Sequence, residues 1–411
     1  MLRRIYLDNS ATTPIAPEVV DAMLPYLKDK FGNASSIHFF GQEARAAVDK
    51  ARHQVAALIN SRPAEIVFTS GGTESNNLAI RGLLESQLQK PDQKAGRFLD
   101  AQGERKLHII TTAIEHPAVK SVCEDLEKLG GYEITYLPAY ENGVVKIEDL
   151  KAAIRDDTVL ISVMMANNEI GTLQPVEEIG KLIKELRTQG RKIYFHTDAV
   201  QAAGKMPVDV EAIGCDLLSM SGHKIYAPKG VGALYVRRGV RLHAQSIGGR
   251  QERGVRGGTE SVPNIVAFGK ACEIAAEELK ENASRLGELR DRFEQGVFEC
   301  IDDVTQNGDV EHRLPNISNL SFSRIEGEGL LINLDMQGVA VSTGSACSSG
   351  SLEPSPVIRA LGRTDELARG AIRFSFGRFN DDEDIDRVLE VLPVAVENLR
   401  RLAPSRTKAA G

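Results

Sequence analysis

Residues 158–198 of the chain read TVLISVMMANNEIGTLQPVEEIGKLIKELRTQGRKIYFHTD, and this stretch decides the class of fold. It begins with an apolar run at 158–166, continues with apolar residues at helical spacing over 176–188, and ends in a second apolar run at 193–197. Two strand-like runs joined by a helix of this length are typical of parallel strands with a right-handed crossover. The stretch therefore predicts an α/β protein.

The same alternation continues on both sides of this stretch. Further strands are predicted at 66–69, 107–112 and 132–137, and further helices at 42–59, 73–84, 117–129 and 147–154. Because strands separated by helices pair in parallel, we expect a mainly parallel sheet flanked by helices. The polar segment 85–106 has little periodicity and is expected to be a surface insertion.

The pattern changes from about residue 262. Two helices at 265–279 and 284–298 are followed by strands near 317–322 and 372–376. A chain of 411 residues is also longer than one small core usually accommodates. The sequence therefore predicts a second domain in this part of the chain.

The composition argues against several classes of protein. The formal net charge is −7, and the 42% hydrophobic and 26% charged residues are close to the globular average. A negative net charge without a basic arm argues against a general binder of nucleic acid or anionic membranes. The longest apolar run is too short to span a bilayer, and the N-terminus lacks the apolar core of a signal peptide. We expect a cytoplasmic protein.

The chain contains five widely spaced cysteines. They are odd in number and contain no Cys-x-x-Cys, which favours neither a disulfide framework nor a metal site. Cys123, Cys215 and Cys272 lie in apolar contexts, whereas Cys347 lies among small residues at about 342–355. The small residues around Cys347 predict a mobile loop with an exposed thiol. Cys347 is therefore the candidate nucleophile.

Side chains capable of chemistry follow several of the predicted strands. In parallel sheets, ligands bind beyond the carboxyl ends of the strands, so these positions are candidates for one shared site. They are Gly72 and Thr73, His116, Asn167, Asp198 and Gln201, and Ser221, His223 and Lys224.

Lys224 lies between two apolar runs, where a crowded amine loses hydration and is suited to react with carbonyl compounds. An ordinary loop lysine is the alternative. The Gly71-Gly72-Thr73 step between a strand and a helix lets backbone amides approach an anion. An ordinary glycine turn would have the same sequence and is the alternative. No nucleotide-binding P-loop or dinucleotide fingerprint is present, which favours a smaller phosphate ester.

Asp198 ends a strand one helix-plus-strand unit before Lys224. A phosphate seat, a carboxylate able to hold a pyridinium proton and a reactive lysine together suit pyridoxal phosphate, whereas Asp198 alone could also cap a helix. His116 could stack on a ring and transfer protons, or be structural. Arg373 interrupts an apolar strand, where it could bind a substrate carboxylate or form a structural ion pair.

These residues occur in segments that closely resemble the NifS/IscS-type cysteine desulfurases, fold-type I pyridoxal-phosphate enzymes of the class-V aminotransferase-like family. The matching segments are Tyr6 to Pro14, Gly71 to Ser75, Glu115-His116, Asn167 to Gly171, Thr197 to Ala199, Ser221 to Lys224, the Cys347 loop and Arg373 to Gly377. The resemblance implies a large domain of residues 16–261 on a seven-stranded sheet. Residues 1–15 and 262–411 would form a smaller α+β domain that carries the Cys347 loop.

The resemblance also implies a role for each candidate residue. Lys224 is expected to be the Schiff-base lysine, Asp198 the partner of the pyridinium nitrogen, Gln201 the donor to the ring hydroxyl and His116 the ring-stacking acid and base. The phosphate ligands are expected to be Gly72, Thr73, Ser221 and His223, with Thr259 reaching the phosphate of the other subunit of a homodimer. The substrate carboxylate is expected to be held by Asn167 and Arg373.

A family member of this type removes sulfur from L-cysteine, releases L-alanine and leaves a persulfide, here expected on Cys347. The sulfur would pass to an IscU/NifU-like scaffold protein for iron–sulfur cluster assembly. A selenocysteine lyase is the alternative, which the 85–106 insertion favours and the Cys347 motif disfavours. A non-catalytic partner of iron–sulfur assembly is disfavoured by the intact Lys224, Asp198 and Cys347.

Overall fold

The computed structural model describes residues 3–88, 107–344 and 353–402. Its strands are β1 (Ile5–Tyr6), β2 (Ile66–Thr69), β3 (Leu107–Thr112), β4 (Tyr132–Leu137), β5 (Thr158–Ser162), β6 (Tyr194–Asp198), β7 (Leu217–Ser221), β8 (Gly232–Val236), β9 (Val304–Gln306), β10 (Ile317–Phe322), β11 (Val339–Ala340) and β12 (Ala371–Ser375).

The helices lie between and after these strands. They are α1 (Pro17–Lys28), α2 (Phe39–Leu58), α3 (Gly72–Asn77), α4 (Leu83–Leu88), α5 (Pro117–Leu129), α6 (Ile147–Ala153), α7 (Val176–Thr188), α8 (Val210–Ile213), α9 (Val262–Cys300), α10 (Gly327–Met336), α11 (Pro356–Ala360), α12 (Asp365–Arg369) and α13 (Asp382–Leu402). A π-helical turn, Leu78–Gly82, joins α3 to α4, and Gly222–Lys224 form a 3-10 turn.

Seven strands form the large sheet, in the order β2-β8-β7-β6-β5-β3-β4. All neighbours pair in parallel except β8, which is antiparallel to both β2 and β7. Every residue of β3, β5 and β7 is buried, because helices cover both faces of the sheet. The predicted mainly parallel, seven-stranded α/β architecture is confirmed.

Two predicted elements differ from the structure. The strand predicted at 158–166 ends at Ser162, although the amides of Val163 and Met165 still donate to carbonyls of the neighbouring β6 segment. The two helices predicted at 265–279 and 284–298 are one continuous helix, the 39-residue α9. The four residues between them, 280–283, contain neither Gly nor Pro, so nothing in this short polar segment interrupts the backbone hydrogen bonds.

The smaller sheets lie in the rest of the chain and share α9 with the large sheet. β12, β10 and β9 form one antiparallel sheet, and β1 pairs in parallel with β11. Phe268 of α9 packs in the core of the large sheet, whereas Phe293 of the same helix packs with Leu7, Phe374 and Phe376 in a second core. We propose the division into 16–261 and 1–15 with 262–411 on this basis, with α9 linking the two cores.

The remaining expectations concern segments and cysteines. Most of the predicted 85–106 insertion lies outside the described residues, which end at α4 before resuming at β3. The four cysteines in the described part of the chain are free, with Cys123, Cys215 and Cys272 buried and Cys300 exposed. None of the helices within 3–88, 107–344 and 353–402 is both long and apolar enough to cross a membrane.

Candidate active site

A cavity of about 250 Å³ lies at the carboxyl edge of the large sheet. Its walls come from the ends of β6 and β7, the start of α3, the start of α5 and, from the smaller sheet, β12. Most of the residues predicted from sequence line it, namely Gly72, Thr73, His116, Asp198, Gln201, Ser221, His223, Lys224 and Arg373. The prediction that these strand ends meet in one place is therefore supported by the geometry.

Lys224 is the last residue of the 3-10 turn that follows β7. Its Nζ donates hydrogen bonds to the backbone carbonyl oxygens of Ser10 and Ala11, both at 2.6 Å. The side chain is half-buried, and it lines the cavity. The N-terminal segment after β1 thus holds the amine at the cavity wall.

Asp198 presents a buried carboxylate at the end of β6. Its Oδ2 accepts a hydrogen bond from Nδ2 of Asn76 at 2.6 Å, and its Oδ1 accepts one from the amide of Val200 at 2.9 Å. A buried carboxylate is retained only where such donors compensate its lost hydration. The local bond to Val200 resembles the capping alternative, whereas the bond to Asn76 comes from another element and fixes the carboxylate toward the cavity.

His116 is both a helix cap and a cavity residue. It stands at the N-cap of α5, where its Nδ1 accepts a hydrogen bond from the amide of Ala118 at 3.1 Å. The neutral ring therefore carries its proton on Nε2. Burial lowers the pKa of His116, which favours this neutral form. The structural alternative for His116 and the functional one are compatible.

The residues expected to bind a phosphate lie where α3 approaches β7. A Cβ atom at Gly72 would lie 2.8 Å from Cγ2 of Val200, so only glycine leaves this position open. His223 packs beside the seat, with its Nδ1 3.2 Å from Oγ1 of Thr12. Burial, reinforced by the charge of Lys224, lowers the pKa of His223 to about 4, so the ring is neutral at physiological pH.

Arg373 is buried in β12 and lines the cavity from the side of the smaller sheet. One terminal nitrogen donates to Oδ1 of Asp8 at 2.7 Å, and the other donates to the carbonyl oxygen of Asn168 at 2.8 Å. The structural ion pair, one of the two alternatives for this residue, is therefore present. Its Nε has no hydrogen-bond partner among the described residues, so the guanidinium retains a free donor.

The structure does not bring Asn167 to the cavity. Its side chain is fully buried, with Nδ2 donating to the carbonyl of Ile114 at 2.9 Å and Oδ1 accepting from the amides of Glu169 and Ile170. Apart from a bond from Nδ2 to Sδ of Met164 at 3.5 Å, its partners are backbone atoms, so the amide shapes the turn after the strand. The neighbouring residue, Asn168, lines the cavity instead.

Two further predicted residues lie elsewhere. Thr259 is exposed and does not line the cavity. Cys347 lies outside the described residues, although Gly344, three positions before it, lines the cavity. The roles expected of both residues stay predictions.

Sequence reasoning missed several residues that complete the site. Asn76 lies four positions after Gly72 in the same polar segment, which places both on one face of a helix, and this spacing could have identified it. The contributions of Ser10, Ala11 and Asp8 come from the turn after β1 and depend on contacts with residues more than 200 positions away. No local pattern indicates such contacts.

The cavity wall fits pyridoxal phosphate. A lysine amine, a carboxylate and an open glycine step face one space, which is the donor set that this group requires. Three buried atoms of the lining residues also lack a partner among the described residues: Ser10 Oγ, Asn76 Oδ1 and Arg373 Nε. Buried polar atoms without partners are costly, so these three atoms are consistent with a polar ligand in this cavity.

A buried acid, Glu115, lies next to His116 in the chain. Its Oε1 accepts hydrogen bonds from Oγ1 of Thr112 at 3.0 Å and from the amide of Met164 at 2.8 Å, whereas Oε2 has no partner within the described ranges. Burial raises the pKa of Glu115 to about 8, and the charge of Asp198 acts in the same direction. Glu115 is therefore predominantly protonated at neutral pH.

This raised pKa makes stability depend on pH. The unfolded chain releases the Glu115 proton near its ordinary pKa of 4.5, whereas the folded protein keeps it until about 8, so stability falls as pH rises between these values. The free energy of unfolding of Glu115→Gln is expected to match that of the wild type at pH 4.5 and to exceed it by about 4 kcal/mol at pH 8. Urea unfolding of the cofactor-free proteins measures this difference.

Glu185→Gln, at an exposed position of α7, is the matched control and should leave the pH profile unchanged. A Glu115→Gln protein whose stability differs from the wild type by the same amount at both pH values would contradict the protonated state of Glu115.

Comparison with known proteins shows which family the chain resembles over most of its length. The model of the family "Aminotransferase class-V" matches residues 5–388. The chain is 51% identical to the cysteine desulfurase IscS of Dictyoglomus turgidum over 404 residues, which cover 98% of this chain and 97% of that protein. A solved NifS-like protein superposes with a TM-score of 0.86 at 36% identity, covering 97% of this chain and 100% of its own. SspA, solved in complex with cysteine, has a TM-score of 0.77 at 35% identity, covering 92% and 100%.

Proposed function

The chain belongs to the class-V aminotransferase family and, within it, is a cysteine desulfurase, and from this premise we propose how its residues carry out the reaction. We propose that it takes L-cysteine, releases L-alanine and leaves the sulfur as a persulfide on Cys347. One observation carries the proposal: Lys224, Asp198 and Arg373 come from three separate elements and line the same cavity.

We propose pyridoxal phosphate as the cofactor, held by residues of the cavity wall. Lys224 would bind its carbonyl carbon, Asp198 its ring nitrogen, Gln201 its ring oxygen and His116 the ring face. The phosphate would be bound by Gly72, Thr73, Ser221 and His223. When bound, pyridoxal phosphate withdraws electrons from the α-carbon of the attached amino acid and so weakens its bonds.

Arg373 would bind the substrate carboxylate. Its Nε is a buried donor without a partner among the described residues, and a carboxylate is the acceptor that a guanidinium binds most strongly. The bonds to Asp8 and to the Asn168 carbonyl hold the guanidinium in place. Because Asn168 and not Asn167 lines the cavity, we assign the neighbouring polar contact to Asn168.

Lys224 and His116 would handle protons. The Nζ of Lys224 would take the α-proton of cysteine, because the Ser10 and Ala11 carbonyls hold it at the cavity wall. His116 would exchange its proton at Nε2, since Nδ1 is occupied by the Ala118 amide. Each residue thus acts through one defined nitrogen atom.

Cys347 would receive the sulfur. Its thiolate attacks the sulfur of cysteine, and an S–S bond forms as the Cβ–S bond breaks. The electron pair of the broken bond stays on the carbon, which takes a proton and becomes the methyl group of alanine. The buried Cys123, Cys215 and Cys272 are unsuited to this step, because burial raises the pKa of each thiol.

We also propose a cytoplasmic homodimer that passes its sulfur to an IscU/NifU-like scaffold protein for iron–sulfur cluster assembly. Thr259 would reach the partner subunit's phosphate. It is exposed, and nearby Arg256 forms an ion pair with Glu74 of α3 at 2.8 Å. This ion pair ties the Thr259 segment to the helix that begins with Gly72 and Thr73.

A single-turnover experiment tests the proposed function. The holoenzyme mixed with a small excess of L-cysteine and no acceptor should release one alanine per active site and gain one sulfur atom. Peptide mass spectrometry should locate that sulfur on Cys347. Formation of pyruvate and ammonia instead of alanine, or a sulfur atom on another cysteine, would contradict the proposal.

A further inference from the structure

The side-chain amide of Gln201 is held in one orientation by its neighbours. A glutamine amide can point either its oxygen or its nitrogen at a ligand, and the choice depends on the atoms around it. Its Nε2 donates to the carbonyl oxygen of Ser10 at 3.0 Å, the same oxygen that accepts from Lys224 at 2.6 Å. Gln201 therefore shares an acceptor with the reactive lysine.

Lys205 fixes the other end of this amide. Its Nζ donates to Oε1 of Gln201 at 3.2 Å and to the backbone carbonyl of the same residue at 3.1 Å. A charged ammonium can only donate hydrogen bonds, so the amide must turn its oxygen, and not its nitrogen, toward Lys205. A neutral amine could also accept a hydrogen bond, but the Ser10 carbonyl accepts from Nε2 at the other end of the amide and so keeps the same orientation.

Burying the amine of Lys205 costs free energy of folding, which a role in holding Gln201 would explain. Burial, with the positive charges of Lys224 and Arg373, lowers the pKa of Lys205 to about 7. Across the described ranges, no carboxylate forms an ion pair with its amine, so no opposite charge compensates the lost hydration. A lysine kept in such a place is a candidate for a functional role.

We propose that Lys205 is a positioning residue that holds Gln201 with its N–H facing the cofactor and links it through the Ser10 carbonyl to Lys224. The inference rests on the proposed function, because it requires a cofactor with a ring oxygen in the cavity. Lys205 itself does not line the cavity proposed for the cofactor but lines a separate small cavity of about 40 Å³, which Lys224 also lines.

A double-mutant cycle tests the link between Lys205 and Gln201. The affinity of each apoprotein for pyridoxal phosphate is measured by spectral titration for the wild type, Lys205→Met, Gln201→Ala and the double variant. Lys205→Met is expected to weaken binding about tenfold in the wild type. In the Gln201→Ala background the same change is expected to alter affinity less than about twofold, since its target is gone.

Two further variants sharpen the test. Lys205→Arg keeps a donor that cannot accept and should retain affinity within about threefold of the wild type. Lys229→Met removes an exposed lysine of the same neighbourhood and should leave affinity unchanged. If Lys205→Met does not fold, as judged by circular dichroism, Lys205→Ala, which also lacks a side-chain donor, replaces it with the same expectation.

The outcomes separate this inference from the proposed function. A wild type that binds no pyridoxal phosphate overturns the proposed function and this inference with it. A wild type that binds the cofactor, together with equal losses from Lys205→Met in both backgrounds or no loss in either, overturns the role of Lys205 alone.

Discussion

Lys224→Ala is expected to abolish the visible absorbance of the protein loaded with pyridoxal phosphate and to slow alanine formation by about 10⁴-fold. In the proposed reaction, the absorbance would depend on a bond between the cofactor's carbonyl carbon and the lysine amine. The rate would depend on the same amine as the base for the α-proton. The Ser10 and Ala11 carbonyls hold that amine in place, and neither can supply a base.

The measurement is an absorbance spectrum after incubation with pyridoxal phosphate and gel filtration, followed by an alanine assay with L-cysteine. Lys229→Ala, at an exposed position five residues away, is the control and should behave as the wild type. Urea unfolding shows whether each variant is folded. A folded Lys224→Ala protein with the wild-type spectrum or rate would refute the role of Lys224.

The second large effect is expected for Cys347→Ser. The variant should keep the visible absorbance and respond to added L-cysteine, because the residues proposed to bind cofactor and substrate are intact. It should form no persulfide, and its release of alanine should fall by at least about 10³-fold, since a serine oxygen cannot replace the thiolate as acceptor of sulfur.

Cys300→Ser is the matched control for this prediction. Cys300 is the exposed cysteine of the described part of the chain, and it lies at the end of α9 and does not line the cavity. Its replacement should leave activity unchanged. Sulfur transfer by Cys347→Ser at the wild-type rate would show that another group receives the sulfur.

The same variant distinguishes the selenocysteine alternative. Selenide can leave without a cysteine nucleophile, so a selenocysteine lyase would release alanine from selenocysteine equally well in the wild type and in Cys347→Ser. A wild type that prefers L-cysteine, and that loses this activity with Cys347, supports the desulfurase.

Much of the fold could be predicted because short stretches of the sequence are enough to identify most of its strands and helices. β3, β4 and α7 begin and end where apolar spacing and flanking turn residues indicate, and strands separated by helices can pair in few ways. The continuity of α9 was missed because a short polar segment between two apolar stretches reads the same whether the helix continues through it or ends.

The reactive residues could also be predicted, because each lies at the carboxyl end of a strand or within four residues after it. Lys224, Asp198 and His116 reach one cavity since the carboxyl ends of neighbouring parallel strands share one edge. The choice between Asn167 and Asn168 could not be made in this way. Adjacent residues of a turn point in different directions, and only the packing around the turn decides which side chain reaches the cavity.

The sequence by itself thus determined the class of fold and the identity of most groups around the cavity, because both follow from short-range patterns. The tertiary structure decided how those groups are held. Lys224 binds carbonyls of Ser10 and Ala11, Asp198 binds Asn76, and Arg373 binds Asp8. These partners lie 122 to 365 positions apart in the chain, and a contact across such a distance depends on how whole elements pack, which no local pattern encodes.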